Sequence, residues 1–121
     1  MSLICLAAAG STVKLAAAVT LMWTHSVQKT RWEEDWQATP AGLVITEARV
    51  EGSGAGMDPP DGAILRDGAW HWTPKLGPQR NVGLRRSGAT EDWSVCYSGR
   101  CRPMGELVPA NADPVTLTVC E

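Results

Sequence analysis

Two residues whose types and spacing could move a proton are His25 and Glu34, set in a stretch with Trp23, Trp32 and Trp36. If Val27 and Trp32 bracket a loop Gln28-Lys29-Thr30-Arg31, pairing outward sets His25 opposite Glu34 and Trp23 opposite Trp36. All six side chains then share one face, because alternate strand residues point the same way and opposed residues point together. An imidazole and a carboxylate among indoles are partly desolvated and must satisfy one another. Such a couple can transfer protons, since a carboxylate orients a histidine tautomer and raises its basicity. It can equally be a polar pair that pins strand register. The second meaning is the weightier one, because no nucleophile accompanies the pair. Ser26 is adjacent in sequence but projects to the opposite face, so a Ser-His-carboxylate triad fails on geometry. Lys29 or Arg31 could instead reach Glu34 and form an ionic cluster.

The acidic run Glu33-Glu34-Asp35 reads as metal-ligand material until alternation is applied. Glu33 and Asp35 face away from Glu34, so at most two of the three converge, and a solvated strand edge is the plainer meaning. Gly52-Ser53-Gly54-Ala55-Gly56-Met57 has the glycines of a phosphate cradle. Asp58-Pro59-Pro60 follows and blocks the helix that a dinucleotide loop must open, and no lysine-hydroxyl pair is present. An irregular connection is the ordinary reading. Trp70-His71-Trp72 puts two indoles on one face, as a platform for a sugar or cation or simply as core.

Cysteine chemistry leaves three alternatives open. Around a two-residue turn Ser98-Gly99, Tyr97 opposes Arg100 and Cys96 opposes Cys101 in the non-hydrogen-bonded position, where side chains approach most closely and a disulfide is in reach. Cys5 and Cys120 meet if the terminal strands are neighbours. Four reduced thiols serving as small core residues are the second alternative, and zinc the third. Zinc is disfavoured by the presence of a single short-spaced pair. The compartment decides between oxidised and reduced forms: cytoplasmic if the start is as given, the periplasmic side if Cys96 and Cys101 are oxidised.

The elements that position these residues are short and strand-like. Turn signals at Gly10-Ser11, Pro40-Ala41-Gly42, Gly52 to Gly56, Pro59-Pro60, Asp67-Gly68, Gly77-Pro78, Ser87-Gly88 and Ser98-Gly99 recur at the spacing of sandwiches and barrels. We therefore expect an all-β fold: one antiparallel β-sandwich or partly open barrel of hairpins, a single domain over residues 1–121, with at most one helical turn near Pro103 to Val108. A first hairpin is expected from Leu3 to Ala9 and Thr12 to Ala18 about Gly10-Ser11. Asp67-Gly68 sets Leu65 across from Trp70 and Ala63 across from Trp72, with His71 beside Ile64 on the other face. Six Trp, one Tyr and no Phe make indoles the expected large core rings, each N–H requiring an acceptor.

A net charge of -2 with both signs scattered argues against nucleic acid and against membrane-surface binding. Met1 to Trp23 is apolar, but Lys14 and Gly10-Ser11 divide it, so no membrane insertion by this chain and no export signal is expected. Ser2-Leu3-Ile4-Cys5 has the form of a lipoprotein box without the hydrophobic segment ahead of it. No cofactor and no metal is implied.

Thr24 to Glu34, Gly52 to Pro60, Arg86-Ser87-Gly88, Trp93-Ser94-Val95-Cys96 and Gly99-Arg100-Cys101-Arg102, in that order, resemble the successive motifs of a bacterial family, domain of unknown function 1850. The resemblance covers nearly the whole chain and carries no catalytic residues. It implies small proteins encoded beside tripartite TRAP transporters of the TAXI type, hence an accessory role in solute uptake. The expectation is a non-enzymatic binding module that presents His25, Lys29, Trp32 and Glu34 with Ser53, Gly54, Gly56 and Met57 to a transporter subunit or solute receptor. The alternative is a small-ligand or metal-binding protein, weakly catalytic, that uses His25 and Glu34.

Overall fold

The computed structural model describes residues 2–24, 30–51, 60–86 and 92–120. The strands are β1 (Leu3–Ala8), β2 (Ser11–Ala16), β3 (Ala18–Thr24), β4 (Arg31–Thr39), β5 (Gly42–Glu51), β6 (Ile64–Arg66), β7 (Ala69–Trp72), β8 (Asn81–Leu84), β9 (Ser94–Tyr97), β10 (Arg100–Pro103) and β11 (Val115–Cys120). Among the described residues a single 3-10 turn, Met104–Glu106, follows β10 at the place expected for helical structure. The strands form two antiparallel sheets, in the orders β2-β1-β11-β8 and β10-β9-β3-β4-β5-β7-β6. The all-β expectation holds.

Side-chain alternation explains how the sheets pack. Ile4 and Leu6 of β1 and Val115 and Leu117 of β11 meet Val19 and Leu21 of β3, Leu43 and Ile45 of β5 and Val95 of β9 in one core. Met104, delivered by the 3-10 turn, is fully buried among them. Aliphatic residues thus fill the centre, contrary to the expected indole core. Only Trp36 is fully enclosed, while Trp72 and Trp93 pack against the core from its margin.

Three tight turns share a residue-then-glycine pattern with both central residues at positive φ: Ala9-Gly10, Asp67-Gly68 and Ser98-Gly99. The last two fall where the sequence places them, with Leu65 opposite Trp70, Ile64 opposite His71, and Cys96 opposite Cys101. The first is one residue earlier than expected, since Ala8 pairs with Ser11. Glycine takes the second central position of such a turn, so Gly10 draws Ala9 into it and leaves Ser11 to the strand. At the β4–β5 turn Thr39 pairs with Gly42. There Gly42 adopts φ +131, and a Cβ would lie 2.7 Å from the Gln79 carbonyl oxygen. That close approach carries the paired hydrogen bonds of Leu43 N–H to Gln79 O (2.7 Å) and Gln79 N–H to Leu43 O (2.8 Å).

The β3–β4 register differs from expectation. Trp23 pairs with Trp32, Leu21 with Glu34 and Val19 with Trp36, so Glu34 does not oppose His25 and Trp23 does not oppose Trp36. The shift is by an even number of positions, so each side chain keeps its face and only its partner changes. The observed register puts Val19 and Leu21 beneath the second sheet, and on the outer face brings Thr20 Oγ1 to donate to Asp35 Oδ1 at 2.7 Å. Strand β4 is also interior to its sheet, not an edge.

Candidate functional site

Glu34 stands on the inner face of the seven-stranded sheet. Its cross-strand neighbours are Leu21 on β3 and Ala48 on β5, both buried. Beyond Ala48 lies Trp72 of β7, and on its own strand Trp32 and Trp36 flank it two residues to either side. Trp36 Nε1–H donates to Glu34 Oε1 at 3.1 Å. Burial pushes the Glu34 carboxyl above the ordinary glutamate value, against the smaller opposing pull of the indole hydrogen bond.

The indoles continue past Glu34 to one end of the sandwich. Trp23 stacks on Trp32 with ring centroids 6.1 Å apart and planes at 15°, Trp93 tilts against Trp23 at 4.7 Å, and Trp72 meets Trp32 edge-on at 6.4 Å. Trp93 Nε1–H donates to the Arg85 carbonyl at 2.9 Å. Trp32 Nε1 is buried with no partner among the described residues. A run of aromatic faces, a donor with no described partner and a carboxyl group therefore lie together at the end where Thr24 pairs with Arg31 and Trp32 with Val50. From those same strand ends the chain departs into residues 25–29 and 52–59. His25, Lys29, Ser53, Gly54, Gly56 and Met57 lie outside the described residues, so of the expected binding face only Trp32 and Glu34 have described positions.

The opposite face of the same sheet holds a cluster that sequence reasoning missed. Arg49 on β5 donates through Nε to Glu33 Oε1 (2.9 Å), through Nη1 to Asp35 Oδ2 (2.8 Å) and Glu47 Oε1 (3.2 Å), and through Nη2 to Asp35 Oδ1 (2.8 Å). His71 Nδ1 lies 2.6 Å from Glu47 Oε1. A carboxylate only accepts, so we assign the proton to Nδ1. The guanidinium holds Asp35 below the usual aspartate range, and the His71 hydrogen bond, with Arg49 behind it, does the same for Glu47. Arg49 is itself raised by Asp35. Glu33 and Asp35 thus do converge, on the Arg49 guanidinium, and no group of three metal-binding side chains occurs among the described residues.

A β-bulge explains why this cluster was hidden. Counting back from Thr39 opposite Gly42 without interruption puts Arg49 opposite Trp32, pointing into the core. Between Asp35 and Trp36 the register slips, Thr46 becomes the extra residue, and Asp35 pairs with Glu47 and Glu33 with Arg49. The alternation Glu47-x-Arg49 against Glu33-x-Asp35 is visible in the sequence, but it signifies a cluster only once the bulge is known.

Other contacts tie separate segments of the chain together. Arg86 Nη2 donates to Asp92 Oδ2 (2.7 Å), and Nη1 donates to the carbonyls of Pro109 (2.7 Å) and Ala112 (2.9 Å). This clamps the segment before β9 to the one before β11 and holds the Asp92 carboxyl low. Disulfides join Cys5 to Cys120, with Cα atoms 6.0 Å apart across the paired terminal strands, and Cys96 to Cys101, 3.9 Å apart across the β9–β10 hairpin. The sulfur of Cys5 is therefore engaged by Cys120. No helix among the described residues is long and apolar enough to cross a membrane.

Comparison with curated proteins and with solved structures finds no match for the chain. A family model matches residues 19–104, a span from β3 through the start of the 3-10 turn that contains the tryptophan end, Glu34, the Arg49 cluster and both cysteines of the hairpin. On that match, the chain belongs to the family described as Domain of unknown function (DUF1850).

Proposed function

We propose that this chain is a non-catalytic binding module serving a TRAP-type solute-uptake system, with its recognition end at Trp23, Trp32, Trp72 and Trp93 around the Glu34 carboxyl. One observation carries the reading. A half-buried carboxyl group and a buried indole N–H with no partner among the described residues lie under a run of aromatic faces, where a packed core alone requires neither. Family membership supports the transporter context, through the neighbourhood that the resemblance implies. Two disulfides favour work on the periplasmic side, where they persist. The partner is a transporter subunit or the solute receptor. Leu21, in place of His25, stands opposite Glu34, and His25 itself lies outside the described residues.

Co-purification of the oxidised chain with the neighbouring transporter and receptor proteins tests the proposal. Retention at micromolar concentration is expected, with a loss of about tenfold or more for Trp32→Ala, the size of effect an aromatic anchor produces. No retention of the unaltered chain by any of these proteins at that concentration overturns it.

A further inference from the structure

We propose that Cys96–Cys101 is a site of thiol–disulfide exchange with a dithiol protein, whereas Cys5–Cys120 is a permanent cross-link. The two bridges differ in the exposure of their most and least accessible sulfurs, in strand position and in loop length, although Cys96 and Cys120 are alike half-buried. Cys5 is completely enclosed and its bridge ties the first strand to the last, with a sequence separation of 115. Cys101 is exposed on β10, an edge strand, and its bridge spans a separation of only 5 within a hairpin already fixed by its two-residue turn. Little chain freedom is removed by a link between residues that the turn already holds opposite each other. Accessible bridges of this kind are the labile ones, because an attacking thiolate must reach one sulfur along the S–S axis. Space for it exists: Cys96 and Cys101 line an open depression of about 540 Å³ on the outer sheet face, together with Thr20, Asp35, Gln37 and Gly99.

The exchange balances without another reagent. A thiolate of the dithiol attacks Cys101 Sγ, a mixed disulfide forms, and Cys96 leaves as a thiolate that takes up a proton. The second thiolate of the dithiol then attacks its own sulfur in the mixed disulfide, releasing Cys101 as a thiol. The partner departs oxidised and the chain has gained two electrons and two protons. Run in reverse, the same steps close the bridge. The exchange depends neither on the family nor on the recognition end.

The test uses the full oxidised chain under native conditions, with dithiothreitol as probe, alkylation at intervals, and intact and peptide mass measurement. Expected is a species carrying two alkyl groups, both on Cys96 and Cys101, formed at least tenfold faster than any label on Cys5 or Cys120 and with tryptophan fluorescence unchanged. Simultaneous labelling of all four cysteines, earlier labelling of Cys5 and Cys120, or no labelling before unfolding overturns the proposal. A second measurement uses a Cys-x-x-Cys dithiol protein whose resolving cysteine is replaced by serine. A trapped adduct on Cys101 or Cys96 supports the exchange; an adduct on the other pair, or none, contradicts it.

Discussion

Glu34 and Asp35 are consecutive in sequence and have opposite electrostatics because a strand turns them to opposite faces. For Glu34 the folded chain holds the proton more tightly than the unfolded chain does. Its contribution to stability is therefore fully present below the unfolded value and is lost as pH rises through the folded one. Glu34→Gln keeps an acceptor for Trp36 and removes the charge, so it should stabilise the chain by about 0.5–1 kcal/mol at pH 8, reduced by the solvent contact the group retains, and change nothing near pH 4. Urea denaturation at the two pH values measures this. For Asp35 the sign reverses: Arg49 lowers its folded value, and the stabilisation is present above the unfolded aspartate range and lost as pH falls. Arg49→Ala leaves Glu33, Asp35 and Glu47 facing one another without a cation. It should cost about 2 kcal/mol at pH 7 and progressively less in acid, as the carboxylates protonate. Arg49→Lys, which has no fork to bind both Asp35 oxygens, should fall between the two.

At the level of strands and turns, a period of two and glycine-marked turns are what the sequence makes legible. The faces of Trp23, Trp32, Glu34 and Trp36 are correct, and so are the hairpins at Asp67-Gly68 and Ser98-Gly99. The partner of Glu34 is not readable in this way, because the β3–β4 connection lacks a residue-then-glycine turn and its length sets the register. The Arg49 cluster is hidden for a different reason, since one inserted residue at Thr46 reverses the faces of everything before it in β4 relative to β5. Gly42 shows how local geometry fixes the longer-range arrangement. Gly42→Ala brings a methyl group against the Gln79 carbonyl at a φ that side chains rarely adopt, and should cost about 1–3 kcal/mol, read as a drop in thermal midpoint. Faster exchange of the Leu43 and Gln79 amides should accompany it, because those two hydrogen bonds depend on the close approach.

Across the whole molecule, each disulfide fastens strands within one sheet, Cys5–Cys120 across β1 and β11 and Cys96–Cys101 across β9 and β10, while the Arg86 contacts join the segment before β9 to the one before β11. The terminal strands are neighbours, so the Cys5–Cys120 bridge constrains nearly the full chain. By chain-entropy reasoning its removal in Cys5→Ser/Cys120→Ser should cost up to about 5 kcal/mol, against less than about 2 kcal/mol for loss of the hairpin bridge, whose ends the turn already holds together. Thermal denaturation of the two double variants checks the order. Pairing of β4 with β3 and β5 sets the Glu34 carboxyl group between Leu21 and Ala48, beside the indoles, and the proposed recognition end rests on that placement. Titration of the Glu34 side-chain carbon by NMR, with the Trp36 indole N–H observed in the same samples, addresses it directly. The structure predicts a Glu34 midpoint above that of an ordinary glutamate and an indole resonance that shifts with the same midpoint; an ordinary glutamate midpoint with a silent Trp36 indole would contradict it.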